Sequence, residues 1–134
     1  MRDFDVQSIE IAGPLERAFR YLADPRTLPE WTHAFRSVSN GRATLATPEG
    51  SVEVGLEVRG SLEWGTIDWI MTFPDRSVGR AFSRLVPLDL ARTLYSFVLL
   101  APPVALQEVE GALAEQARAL RQELAALQDR LARG

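Results

Sequence analysis

Residues 9–31 read IEIAGPLERAFRYLADPRTLPEW, a short alternating run that breaks at Gly13-Pro14 and passes straight into an apolar-periodic one. Ile9 and Ile11 alternate with Ser8 and Glu10, the period of a half-buried strand. Pro14 fits the first position of a helix, where its missing N–H is no loss. Leu15, Ala18, Phe19 and Leu22 then fall on one helical face, and Asp24-Pro25 ends the run. A second, single-turn helix is expected at 28–31.

Beyond Trp31 the pattern changes to antiparallel strands. Runs at 35–39 and 43–47 flank Asn40-Gly41, a dipeptide suited to a two-residue hairpin turn. After Pro48-Glu49-Gly50, Val52, Val54, Leu56 and Val58 alternate with Glu53, Gly55, Glu57 and Arg59, which predicts one buried and one wet face. Glu53 and Glu57 should therefore be exposed. A strand at 64–73 places Ile67, Trp69, Met71 and Phe73 together. Two more, at 78–86 and 93–100, are separated by residues 87–92. With the first strand the count is seven, and such a sheet must have its apolar face covered.

The cover is expected at the end of the chain. From about residue 104 to 133 there is no internal proline, and Val109, Leu113, Ala117, Leu120, Leu124, Leu127 and Leu131 recur at intervals of three and four. About thirty residues make a rod of roughly 45 Å, longer than a ten-residue strand, so its last turns are expected to overhang the sheet. Leu106, Leu113, Leu120 and Leu127 also lie seven apart, with Ala117, Leu124 and Leu131 in companion positions. That spacing keeps a short coiled-coil seam at 124–131, and hence a homodimer, in view. Packing within the chain explains the same stripe and is preferred, because Glu110 interrupts the seam.

The first segment resembles the opening of the SRPBCC superfamily, the START and polyketide-cyclase-like helix-grip proteins. Pro14, Ala18, Phe19, Leu22, Asp24, Pro25 and Trp31 stand at the family's places. The resemblance implies an α+β helix-grip fold over residues 1–134 as a single domain. Its parts are a seven-stranded curved antiparallel sheet wrapped around a long C-terminal helix, with two short helices after the first strand. It also implies a ligand cavity between sheet and helix, bordered by the region just after Trp31. Family members include lipid carriers, aromatase/cyclases and receptors, so fold is better specified than function.

Composition narrows the chemistry. At 134 residues and 46% apolar content, one core can bury roughly two thirds of the unfolded surface. The absence of cysteine excludes disulfides, thiol nucleophiles and Cys-ligated metal. All fifteen basic residues are arginine, dispersed along a chain of net charge −3, which argues against a nucleic-acid footprint. The longest apolar stretch, 97–106, is far short of the ~20 residues that span a bilayer, and the first residues carry Arg2, Asp3 and Asp5 in place of an apolar leader. A cytoplasmic protein is expected. No phosphate-cradling loop, zinc spacing or nucleophile elbow is present; no cofactor and no metal is expected, and Glu108, Glu110 and Glu115 read as a solvated helix face.

His33, the one histidine, is the candidate catalytic base or ligand contact; a structural hydrogen bond is the plainer role for it. Asp68 alternates away from Ile67 and Trp69, which counts against a dyad with His33. Arg80 and Arg84 share a strand face with Val78, Phe82 and Val86. They either grip the anionic end of an amphipathic ligand or lie on the sheet surface. Trp31, Phe35, Trp69, Met71, Phe82, Arg84, Tyr95, Phe97, Gly111 and Leu113 join His33 as ligand-binding candidates. Gly111 costs about 1 kcal/mol in a helix relative to Ala and leaves room beside a cavity. A protein that binds an apolar or amphipathic small molecule is the preferred reading. The alternatives are a polyketide cyclase/dehydratase-like enzyme with His33 as general base, and an oligomeric or partner-binding module that uses the last helix.

Overall fold

The computed structural model describes residues 3–47, 50–101 and 112–133. The order is β1 (Phe4–Ala12), α1 (Leu15–Leu22), a 3-10 turn (Pro25–Thr27), α2 (Leu28–Trp31), β2 (Phe35–Ser39), β3 (Arg42–Thr47), β4 (Gly50–Ser61), β5 (Thr66–Thr72), β6 (Val78–Asp89), β7 (Arg92–Leu100) and α3 (Ala112–Ala132). The strands form one curved antiparallel sheet in the order β1-β7-β6-β5-β4-β3-β2. Strands β2 to β7 are a meander, while β1 pairs with β7 at the far edge. The segment holding α1 and α2 therefore crosses from one edge of the sheet to the other.

Local chemistry explains most boundaries. Pro14 stands at the N-cap of α1, one position earlier than expected, and no side chain caps the helix. Asp24 caps the 3-10 turn by accepting from the Arg26 N–H at 3.0 Å. Asn40 and Gly41 both take positive φ, 52° and 76°, as a two-residue hairpin turn with the twist of its strands requires. The fifth strand starts at Thr66 rather than at residue 64, because Gly65 at φ 70° closes a turn on the Ser61 carbonyl at 2.8 Å. Trp64 is left in that turn, 65% exposed. At the other hairpin β6 and β7 run further than expected, to Asp89 and from Arg92, with a register shift between Pro87 and Asp89 where the proline has no N–H for the ladder.

The strand faces fall as the alternation predicts. Val54, Leu56, Trp69 and Phe97 are buried, and Glu53 and Glu57 are exposed. The buried face also carries Ile11, Ile67, Leu85 and Tyr95.

Helix α3 packs chiefly on β1, with Leu120, Leu124, Leu127 and Leu131 buried in the core. Residues 104–111, including Gly111, lie outside the described residues, so the expected start of the helix and the place of that glycine do too. The expected overhang at the other end is not found. Leu131 is buried, its carbonyl accepts from Arg17 of α1, and Arg17 also reaches the Ala12 carbonyl at 3.0 Å. Gln128 donates to the Glu10 carbonyl at 2.7 Å, and Gln7 on β1 donates to the Ala117 carbonyl at 2.8 Å. Leu124, Leu127 and Leu131 thus face their own sheet, and the seam that their spacing offers to a second copy is closed.

Leu127→Ala, at a fully buried position, should cost about 2–5 kcal/mol of unfolding free energy by urea denaturation. Exposed Val86→Ala should stay within about 0.5 kcal/mol. Equal effects at the two sites would show that the α3 stripe is not core.

Candidate functional site: the cavity between sheet and helix

One helix does not fill the concave face. Between α3, α2 and the inner sides of β5, β6 and β7 is an open cavity of about 650 Å³. Trp69, Met71, Ala81, Phe97 and Leu99 form its floor, Leu28, Trp31 and Phe35 one wall, and Gln116, Ala119, Leu120 and Glu123 of α3 the other, with Thr32, His33, Ala34 and Glu115 completing it. A second hollow of about 300 Å³ lies between the 3-10 turn and the β2–β3 hairpin, bordered by Asp24, Arg26, Ser39 and Asn40 with Val38 and Leu56. Its smaller volume and polar rim make it the weaker candidate.

The floor is rigid. Trp69 and Phe97, on strands one removed from each other, stack at 5.4 Å, and Tyr95 meets Phe97 edge-on at 6.3 Å. Ala81 on the strand between them is small, which keeps the space above it open. The α2 wall is fixed at its C-terminus, where the Thr32 N–H and hydroxyl both return to the Leu28 carbonyl, at 3.0 and 2.6 Å. The indole N–H groups of Trp31 and Trp69 are buried and find no hydrogen-bond acceptor among the described residues.

Six of the expected ligand-facing residues meet in this wall: Trp31, His33, Phe35, Trp69, Met71 and Phe97. Tyr95 lies beneath it, wholly buried. Its phenol is pushed far up by burial, with the Ser83 hydroxyl the one group that tempers this; that hydroxyl itself donates to the Ile67 carbonyl at 2.7 Å. Leu113 is buried but outside the wall. Phe82 and Arg84 are on the opposite face. Register pairs Phe82 with Asp68 and Val98, and Arg84 with Thr66 and Ser96, and both side chains are exposed. They correct the expectation that this row of β6 faces the ligand: its inner row is Ala81, Ser83 and Leu85. Asp68 shares the outer face, as alternation requires.

The residue that the sequence reading passed over is Glu123. Its Oε2 accepts from the His33 backbone N–H at 2.6 Å, joining α3 to the loop after α2. Burial pushes its carboxyl above the usual range, and the His33 N–H and the charge of His33 pull it partly back. A signal for it exists in the sequence: Gln116, Glu123 and Arg130 form a seven-residue series three positions after Leu113, Leu120 and Leu127. That series is the flank of the apolar stripe turned toward α2, where Arg130 also pairs with Glu30 at 3.4 Å. Among the described residues no cluster of acidic or histidine side chains could hold a metal ion.

Because the folded chain holds the Glu123 proton more tightly than the unfolded chain does, this carboxyl's stabilising effect is full at low pH and is lost as pH rises through its raised range. Glu123→Gln keeps an acceptor for the His33 N–H and does not titrate. Between about pH 4 and pH 8 its urea midpoint should therefore rise relative to that of the parent chain. Parallel curves would place the carboxyl in water.

No family sequence model and no curated protein sequence matches the chain. Solved structures match it over almost its whole length. The protein XoxI from Bacillus cereus superposes with a TM-score of 0.71 at 17% identity, covering 97% of this chain and 96% of that one. A START superfamily protein from Mycobacterium smegmatis gives 0.67 at 14%, covering 98% and 99%. The Zhui aromatase/cyclase from a Streptomyces species gives 0.65 at 13%, covering 96% and 90%. At these identities the likeness is one of fold, and the chain has the START-like, polyketide-cyclase-like helix-grip fold.

Proposed function

We propose that this chain binds a small apolar or amphipathic molecule between its sheet and α3, as a carrier or sensor. The observation that carries the reading is the open cavity of about 650 Å³, walled mainly by aromatic and aliphatic side chains with a few polar groups at one side. That is the size and composition of ligand sites in general. The fold it shares with START and aromatase/cyclase structures supports the same reading. No described helix is long and apolar enough to cross a membrane. A cytoplasmic location and action as a single domain belong to the same proposal.

The enzymatic alternative, a cyclase/dehydratase-like reaction with His33 as base, has one observation in its favour: His33 and Glu123 stand together in the cavity wall. A His33→Ala chain that turned over a polyketide-like substrate as fast as its parent would remove it.

The binding claim is tested with N-phenylnaphthylamine, a neutral apolar dye. At a concentration a hundredfold above its Kd it should stabilise the folded chain by about 2.7 kcal/mol and raise Tm on the order of 10 °C. Ala119 faces the cavity from α3. Ala119→Phe should fill the space and weaken dye binding at least about tenfold, while the chain stays folded. A parent chain whose Tm ignores the dye, or an Ala119→Phe chain that binds it equally well, would overturn the proposal.

A further inference from the structure

The polar groups of the cavity are distributed in a way that selects among apolar ligands. Among the described residues its wall holds two carboxylates, Glu115 and Glu123, and no arginine. Glu115 is paired with Arg118 on its own helix. Glu123 has no ion pair among the described residues; one oxygen takes the His33 N–H, and Oε1 meets no partner there. It stands beside Leu120 and Ala119, half-buried.

An occupant of the cavity would strip more water from Oε1. A purely apolar molecule would leave that oxygen without a partner, and an anionic one would set like charge against it. An O–H or N–H on the ligand would satisfy it.

Resting on the small-molecule reading above, we propose that the ligand is an apolar molecule bearing a hydrogen-bond donor, a hydroxyl or amino group, which it presents to Oε1 of Glu123, and that molecules with a carboxylate at that end are excluded. The raised carboxyl of Glu123 is consistent with this, since a group already short of water gains most from a supplied donor. Of the two roles the sequence leaves open for Arg84, the grip on an anionic ligand end does not fit, because Arg84 is on the far side of the sheet.

The test compares three molecules of one ring system, naphthol, methylnaphthalene and naphthoate, by tryptophan fluorescence titration and calorimetry on the full chain at neutral pH. The parent should bind naphthol about tenfold or more tightly than methylnaphthalene, and naphthoate more weakly still. In Glu123→Leu the naphthol preference should fall to within about twofold and the discrimination against naphthoate should disappear. Glu123→Gln, which keeps the shape and the His33 contact, should recover naphthoate binding to at least the methylnaphthalene level; it also serves where the Leu variant does not fold. Naphthol and methylnaphthalene binding equally to the parent, a naphthol preference that persists in Glu123→Leu, or a Glu123→Gln chain that binds naphthoate as weakly as the parent does, would overturn the donor rule and leave the cavity reading standing. If none of the three binds the parent, the cavity reading falls and this proposal with it.

Discussion

The concave face of the sheet is wider than the helix that covers it, and the rest of the structure follows from that mismatch. Six intervals of about 4.8 Å separate the edge strands, roughly 29 Å in all, whereas a helix with its side chains is about 10–12 Å across. Centring α3 would leave two narrow gaps. Instead it lies toward β1, and the segment with α1 and α2 crosses the sheet to close part of the remainder. What the described residues leave uncovered, over β5, β6 and β7, is one continuous cavity.

The offset position is held by side chains that an apolar pattern alone would not include. Gln7 sits in the inward row of β1, where alternation calls for an apolar residue, and its amide bonds instead to Asp5 at 2.7 Å and to the Ala117 carbonyl. Gln128 and Arg17 make the corresponding attachments near the other end of α3. Each is a bond from a side chain to a backbone carbonyl of the helix or of β1, so it fixes the helix along its axis. Leucine packing, which is non-directional, does not do this.

The fold was legible because its signals are local and redundant: Asn40-Gly41 for a turn, strict alternation through 52–58, and a leucine stripe from 113 to 131. The overhang was misjudged because comparing helix and strand lengths says nothing of where the helix sits along the sheet; Leu131 is tucked under Arg17 rather than overhanging. On β6 hydrophobicity misled. Val78, Phe82 and Val86 are the larger residues and lie outside, while small Ala81 and Ser83 lie inside because the cavity and the neighbouring Trp69 and Phe97 take up the volume there. Trp64 failed for a different reason, since a positive-φ glycine next to it made a turn out of what composition suggested was strand. Glu123 was missed because a carboxylate on a helix whose other charged residues, Glu115, Arg118, Arg121, Asp129 and Arg130, are all exposed looks solvated until the partner loop is in place.

Helix α3 therefore carries two sets of residues with opposite requirements. Its second half, Leu124, Leu127 and Leu131, is packed and tethered, and tolerates no gap. Its first half presents Gln116, Ala119, Leu120 and Glu123 to the cavity, and across from it Trp31 and Trp69 have buried indole N–H groups with no acceptor among the described residues, where a tightly optimised core would have bonded them. An unmade buried hydrogen bond costs about 1–3 kcal/mol, so selection for stability alone would favour filling this space. The fold can leave it open because the sites are separable: the leucines that secure the helix, Leu124, Leu127 and Leu131, are buried against the chain's own core and do not line the cavity.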